Sequence, residues 1–367
     1  MKIGIFSDAL ASRHTGIGNY TWQIVSALEK KSDEHQIVLI NSRANPETSL
    51  EQLTIPNPFP IFKMFSWYPY AMHILNGHEF DIIHNPSQVA TYIRPKNTYV
   101  VTVHDLSPIV CPAGHVMSTR LDFSLLFPRT CKYSAQIIAD SISTKNDLVR
   151  YFHIDPGKVR VVYLAADRDY RVLSALELDE ARKLGWIPEK FILTVGTLEP
   201  RKNIPNLLIA YHHLLEAGFP HKLVIVGKKG WKYQKIFDLL DKLGLTGMVV
   251  FMEGLSVARL CELYNLADLF VYPSLYEGFG FPPLEAMSSG CPVITSDVSS
   301  LPEVVGDAGI TINPHDTKNL SDQLMKVLTD ENLRNEMRTR GIGQAGKFSW
   351  DTCISETLKV YEEALGK

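Results

Sequence analysis

Ten residues in the second half of the chain, Tyr276-Glu277-Gly278-Phe279-Gly280-Phe281-Pro282-Pro283-Leu284-Glu285, combine two carboxylates with a flexible turn and a helix start. Glu277 closes a strand-like run, Leu269 to Ser274. Gly278 and Gly280 let the backbone turn tightly and bring bare amides to a ligand. Pro282 and Pro283 suit the first turn of a helix, where a missing N–H costs nothing. The free amides and dipole of such a helix start favour an anion, above all a diphosphate. Glu285 follows one turn later, and two carboxylates flanking an anion seat can accept hydrogen bonds from neutral hydroxyls, as on a hexose and a ribose. Taken singly, each residue also fits a structural role: a capping Glu277, a solvated Glu285, glycines that only turn the chain.

A second anion-binding signal lies some eighty residues earlier. Phe191 to Gly196 is an unbroken apolar run, the mark of a buried parallel strand, and Thr197-Leu198-Glu199-Pro200-Arg201-Lys202-Asn203 leads from it into the helical pattern Leu207, Leu208, Tyr211, Leu214, Leu215. Ligands of open α/β sheets sit outside the carboxyl ends of the strands. There Arg201 offers a fork of donors and Lys202 a point charge, a combination suited to two phosphates.

Gly196 to Asn203 followed by Glu277 to Glu285 resembles the signature of the retaining family 4 glycosyltransferases of the GT-B fold, and the resemblance extends over essentially the whole chain. It implies two Rossmann-like parallel-sheet domains facing across a deep cleft. It also implies that Arg201 and Lys202 hold the nucleotide diphosphate, that Glu277 binds hydroxyls of the transferred sugar, and that Glu285 binds the ribose. His104 matches the family histidine that contacts the donor sugar, and Gly16 the glycine that lets the first domain approach the diphosphate. Gly196, Phe279, Gly280, Phe281 and Leu284 complete the expected donor site, with the amides of Phe279 and Gly280 fixing the sugar. Gly227 and Gly254 follow strand-like runs, where a base or ribose could pass close to the backbone; they join the expected donor site, though simple turns fit them equally well. Same-face attack with retention, the leaving phosphate taking the acceptor's proton, is the implied course.

Along the chain, strand-like runs alternate with helical patterns, which predicts parallel sheets built from βαβ units. The first series is Ile3 to Phe6, Gln36 to Ile40, Ile82 to His84, Tyr99 to Val103, Gln136 to Ala139 and Val159 to Tyr163. The second is Phe191 to Val195, Lys222 to Val226, Val249 to Met252, Leu269 to Tyr272, Pro292 to Thr295 and Gly309 to Ile312. Leu164 to Pro188, charged and without strand pattern, reads as the connection between them. The expected domains are 1–165, binding the acceptor, and 166–349, binding the nucleotide sugar. Residues 350–367, helical by the spacing of Ile354, Leu358, Tyr361 and Leu365, are expected to cross back onto the first domain by resemblance.

A chain of 367 residues with 45% hydrophobic content is long for a single core. A net charge of -3 supplies no general attraction for nucleic acid. Cys111, Cys131, Cys261, Cys291 and Cys353 have neither metal-ligand spacing nor an even framework, and read as reduced packing residues. The first residues run straight into a strand and no apolar run is long enough to span a bilayer, so a cytoplasmic protein is expected, with peripheral contact at the inner face of the membrane as a further option.

Within the first half, Thr15-Gly16-Ile17-Gly18-Asn19 separates a strand from a helix with Ile17, Trp22, Ile24, Val25 and Leu28 on its apolar face. It lacks the third glycine and the ribose-binding acid of a dinucleotide fingerprint, so helix-packing glycines fit it equally well. His104 closes the strand Val100 to Val103; Asp105 either caps the following loop or orients His104. Ile61 to Tyr70 is apolar and aromatic, which reads first as a buried helix and second as a surface for a lipid-linked sugar. Lys228 and Lys229 read as a solvated pair. Ser299 to Glu303 resembles the family loop that precedes a helix near the donor. Asp167-Arg168-Asp169 has the form of the metal motif of GT-A glycosyltransferases, but no further carboxylate completes a coordination shell, and no metal requirement is expected.

The expected reaction is transfer of a hexose from a nucleoside-diphosphate sugar to a glycan or lipid-linked saccharide in polysaccharide biosynthesis, with a UDP-hexose such as UDP-glucose ahead of GDP-mannose. The rival readings are another GT-B reaction, by an epimerase or a phosphorylase, and a catalytically silent sugar-nucleotide-binding protein.

Overall fold

The computed structural model describes residues 1–366 except 13, 14, 32, 47 and 59–62. The chain forms two compact units, one comprising Met1–Leu164 and Trp350–Lys367, the other Ala165–Ser349. In the first unit, β1 (Lys2–Phe6), β2 (Gln36–Asn41), β3 (Glu51–Thr54), β4 (Ile82–Asn85), β5 (Thr98–Val103), β6 (Gln136–Ala139) and β7 (Val159–Val161) form one sheet in the order β3-β2-β1-β4-β5-β6-β7. Every pairing is parallel, with Ile5 opposite both Leu39 and His84. Strands buried on both faces read as continuous apolar runs, and Ile3, Ile5, Val100, Val101 and Ile138 are wholly buried.

The second unit carries β8 (Phe191–Val195), β9 (Lys222–Val226), β10 (Val249–Met252), β11 (Leu269–Tyr272), β12 (Val293–Ser296) and β13 (Ile310–Ile312), again all parallel, in the order β10-β9-β8-β11-β12-β13. The order reverses between β8 and β11. A reversal of this kind leaves a crevice beyond the carboxyl ends of the two strands, the usual ligand seat of an open α/β sheet. The helix Ile204–Glu216 covers this sheet with Leu207, Leu208, Tyr211 and Leu214 buried.

Two elements depart from the sequence reading. β3 was not expected: Glu51-Gln52-Leu53-Thr54 has one aliphatic residue, and as the edge strand it is partly exposed. Leu164 to Pro188 is not a bare connection either, for it holds the helix Ala175–Lys183, started by a capping box between Ser174 and Glu177. Only Ala181 of that helix is buried, so it has almost no apolar stripe to announce it.

The helix Trp350–Ala364 packs on β5, β6 and the helix Gly16–Glu29. Of the segment Ile61 to Tyr70, Ile61 and Phe62 lie outside the described residues, while Lys63–Leu75 is helical with Trp67 and Tyr68 buried in the core and the Trp67 indole N–H donating to the Ile55 carbonyl at 2.7 Å. No helix among the described residues is long and apolar enough to cross a membrane. Exposed apolar side chains gather elsewhere, at Val116, Met117, Leu121 and Leu125.

Candidate functional site

Beyond the ends of β8 and β11, the structure brings together the two cations and the first carboxylate singled out above. Pro200–Lys202 is a single 3-10 turn after β8, and Glu277 lies on the loop that follows β11. Lys202 Nζ and Arg201 Nη1 each lie 2.6 Å from the Glu277 carboxylate, on Oε1 and Oε2 respectively. Ser274 Oγ donates to Oε1 at 2.5 Å, and Lys202 also donates to the Tyr272 hydroxyl. Arg201 Nη1 reaches the Tyr276 carbonyl at 2.8 Å as well. Although burial alone would raise its pKa, Arg201 and Lys202 hold the Glu277 carboxyl down at about 2. Burial in turn lowers the Lys202 ammonium, with Glu277 opposing that shift.

Glu199 is the residue that sequence reasoning missed here. It is 3% exposed and takes both Arg201 Nε, at 3.0 Å, and Nη2, at 2.8 Å, on one oxygen. The only signal was its place two residues before Arg201 in a loop already read as functional.

The helix Phe281–Ser288 begins where expected, with Pro282 and Pro283 in its first turn and Gly280 before it at φ 120°. A side chain on Gly280 would meet Leu301 Cδ2 at 3.0 Å, so both backbone and space call for glycine. The loop before the next helix, Leu301–Val305, braces this turn: Ser299 Oγ accepts from the Glu277 N–H at 2.9 Å, and Ser300 Oγ donates to the carbonyls of Glu277 and Phe279 at 3.0 and 2.6 Å. Phe279 packs edge-on against Phe281 and Phe348. Leu284 is fully buried and its amide closes the first turn on the Gly280 carbonyl at 3.3 Å. Glu285 is partly exposed, and Tyr264 donates to its Oε2 at 2.9 Å. Burial pushes the Glu285 carboxyl up to about 7, the Tyr264 hydroxyl opposing and Asp167 adding to the shift.

The strand-end glycines acquire packing duties. A Cβ on Gly227 would stand 1.9 Å from the Gly196 carbonyl oxygen, and one on Gly196 would stand 3.2 Å from Lys202 Cε. Their bareness lets two chain crossings touch and lets Lys202 pass toward Glu277. Gly254 turns the chain at φ 70° with open space around it. Lys228 and Lys229 are exposed, Lys229 lying over the rings of Tyr233 and Phe237. Asp167 and Asp169 form a small turn in which the Asp169 N–H donates to Asp167 Oδ1 at 3.1 Å. Among the described residues no group of three or more His, Cys, Asp or Glu is placed to hold a metal ion.

In the first unit, His104 follows β5 with both ring nitrogens engaged: Nδ1 lies 2.6 Å from Asp140 Oδ2 and Nε2 2.8 Å from the Pro86 carbonyl. Burial disfavours the imidazolium, but the Asp140 carboxylate and the Pro86 carbonyl outweigh it, leaving the pKa raised. A carbonyl only accepts, so Nε2 carries a proton. Asp140, which follows β6, is thus the carboxylate partner of His104; Asp105 takes the other role and caps Ser107 through its N–H at 2.9 Å and its hydroxyl at 2.8 Å. Gly16 is the exposed first residue of the helix Gly16–Glu29, capped by Thr15, whose Oγ1 accepts from the Gly18 N–H at 3.1 Å. On that helix Ile24, Val25 and Leu28 are buried, whereas Ile17 and Trp22 are half-buried.

Residues 179–344 match the family described as Glycosyl transferases group 1, and residues 14–170 match Glycosyltransferase Family 4. The chain is 29% identical to the O-antigen chain mannosyltransferase B of Escherichia coli, over 99% of this chain and 100% of that one. It is 37% identical to the serotype-specific mannosyltransferase WbdA of Escherichia coli over 68% of this chain but 32% of WbdA. In fold it is similar to sucrose-phosphate synthase from Thermosynechococcus elongatus, with a TM-score of 0.79 at 19% identity, covering 100% of this chain and 99% of that structure. Two parallel α/β units, the paired motifs and these likenesses agree: the chain belongs to the family 4 glycosyltransferases and has the GT-B fold.

Proposed function

We propose that this glycosyltransferase moves mannose from GDP-mannose to a saccharide or lipid-linked saccharide acceptor in polysaccharide biosynthesis, at the cytoplasmic face of a membrane. The observation that carries the reading is the switch-point cluster of the second unit, where Arg201, Lys202 and Glu277 meet in front of the helix start at Gly280. Cleavage of an anomeric carbon–phosphate bond develops negative charge on the leaving diphosphate, and fixed cations with helix-start amides stabilise it. Glu277 and the amides of Phe279 and Gly280 hold the sugar, Glu285 the ribose, and His104 and Gly16 serve the donor from the first unit.

Full-length similarity to a mannosyltransferase moves the donor from the UDP-hexose expected first to GDP-mannose. Arg201 and Lys202 supply the positive charge that a metal would otherwise bring, and the reaction is proposed to need none. Retention is the stereochemical course proposed. The Glu277 carboxylate is tied to two cations and is poorly placed as the nucleophile of a double displacement, which supports same-face attack. Peripheral membrane contact is supported by exposed Val116, Met117, Leu121 and Leu125, followed along the chain by exposed Arg129 and Lys132, apolar and cationic side chains of the kinds that bind anionic lipid.

The test incubates the enzyme with GDP-mannose or UDP-glucose, with and without EDTA, and with anionic vesicles sedimented afterwards. Release of GDP from GDP-mannose, with water taking the mannosyl group, insensitive to EDTA, and co-sedimentation lost in Leu121→Asp are expected. Release of UDP alone refutes the donor, activity abolished by EDTA and restored by manganese refutes the metal-free reaction, and protein left in the supernatant refutes membrane contact.

A further inference from the structure

Glu277 has two employers in this site. The proposed function gives its carboxylate to the transferred sugar and gives Arg201 and Lys202 to the diphosphate. In the structure the carboxylate instead lies on both cations at 2.6 Å, with the Ser274 hydroxyl donating to Oε1 and the Glu277 backbone N–H anchored on the Ser299 hydroxyl. Side chains here are 16% exposed or less, so the charges are poorly screened and every cation needs a partner. Glu199, Glu277, Arg201 and Lys202 balance one another. A diphosphate entering this cluster must therefore displace a carboxylate. Glu199 holds Arg201 from the Nε–Nη2 edge, which keeps the guanidinium oriented, whereas Glu277 holds the Nη1 end and the Lys202 ammonium. The exchangeable carboxylate is Glu277.

We propose that Glu277 is the built-in competitor of the donor's diphosphate for Arg201 and Lys202, and that this competition makes the site favour the intact sugar nucleotide over the nucleoside diphosphate product. The inference rests on the diphosphate assignment of Arg201 and Lys202. When the intact donor binds, its phosphates take the cations and the displaced Glu277 gains the hydroxyls of the sugar in exchange. When the bare nucleotide binds, Glu277 loses the cations and gains nothing. Loss of the sugar also leaves the terminal phosphate with a further ionisable oxygen, so without a competitor the product would bind these cations at least as well as the donor. Once the sugar has left, the carboxylate returns to Arg201 and Lys202 and drives the product out.

This predicts a change of sign. A carboxylate that only contacts sugar leaves the affinity for bare nucleotide unchanged on removal, and a carboxylate that only braces the site lowers it; a competitor raises it. The test is calorimetry of GDP, UDP and the corresponding sugar nucleotides with the full-length wild type, Glu277→Gln, Glu277→Asp and Arg201→Ala. For whichever nucleotide the wild type binds, Glu277→Gln is expected to bind the bare diphosphate about tenfold more tightly, corresponding to about 1.4 kcal/mol. Its preference for the intact donor should shrink by at least the same factor, and inhibition of turnover by product should deepen. Glu277→Asp keeps the charge but lacks the reach to span both cations, and should fall between wild type and Glu277→Gln; it carries the test if Glu277→Gln does not fold. Unchanged or weaker binding of bare nucleotide in these variants overturns the competition. Normal nucleotide affinity in Arg201→Ala overturns instead the diphosphate assignment beneath it, so the two failures are distinguishable.

Discussion

Glu285 is a proposed site residue whose charge responds to pH near neutrality. Burial beneath the helix start raises its carboxyl to about 7, against the Tyr264 hydroxyl and with help from Asp167. A folded-state pKa above the unfolded value means that the native protein keeps a proton the unfolded chain has lost, so this residue withdraws stability as pH rises from about 4.5 to about 7. For the ligand the sign is opposite. Ribose hydroxyls donate, and a carboxylate accepts better than a carboxylic acid, so affinity for an intact sugar nucleotide should rise by roughly tenfold between pH 6 and pH 8. Calorimetry at the two values checks this, with Glu285→Gln expected to be weak and independent of pH. A flat wild-type profile removes Glu285 from the ribose. At this scale the sequence shows which residues can do chemistry and conceals what holds them. Arg201, Lys202, Glu277 and Glu285 are legible because their types and spacing suit a diphosphate and its sugars. Tyr264, which orients Glu285, and Asp140, which orients His104, come from other elements, and only the fold brings them near. Ser274, three residues before Glu277, lies within a run read as strand.

The helix Trp350–Ala364 shows how an element is pinned through one buried polar chain. The Tyr361 hydroxyl meets His84 Nδ1 at 2.7 Å, His84 Nε2 meets the Thr102 hydroxyl at 2.8 Å, and Thr102 meets the Tyr20 hydroxyl at 2.9 Å. The chain thus joins the C-terminal helix to β4, β5 and the helix Gly16–Glu29. Burial, with the charge of His104 adding to it, drives His84 down to about 3, so it is neutral in the folded state. The unfolded chain takes up a proton there near pH 6.5 and the folded one does not, so stability rises with pH across the interval from about 3 to about 6.5. Removing the hydroxyl in Tyr361→Phe leaves His84 Nδ1 without its partner and should lower unfolding free energy by about 1–2 kcal/mol. Denaturant unfolding at neutral pH measures this; an unshifted midpoint would show that the hydroxyl does not pin the helix. Elements were legible in proportion to their apolar pattern. Buried parallel strands such as Phe191–Val195 and Lys222–Val226 lie where continuous runs place them, whereas β3 and Ala175–Lys183, each with little apolar surface to bury, left no period to read.

At the scale of the whole molecule, the two units differ in how the chain builds them. The first is discontinuous, Met1–Leu164 completed by the helix from Trp350, while the second is one uninterrupted stretch, Ala165–Ser349, with its own six-stranded sheet and its own apolar core. Arg201, Lys202, Glu277, Glu285 and the helix start at Gly280 all belong to that stretch, and so do the residues that brace them, Glu199, Tyr264, Ser274, Ser299 and Ser300. A continuous segment with a closed core and no strand borrowed from elsewhere meets the conditions for folding alone. The fragment 165–349 should therefore unfold cooperatively and bind nucleoside diphosphate within about tenfold of the full chain, a difference of about 1.4 kcal/mol, while catalysing no transfer, because His104 and Gly16, proposed above to serve the donor, are absent. Calorimetry with the nucleotide and a turnover assay on the fragment decide this. A folded fragment without nucleotide affinity would mean that the first unit supplies an essential part of the diphosphate site, and the burden placed on Arg201 and Lys202 would have to be shared.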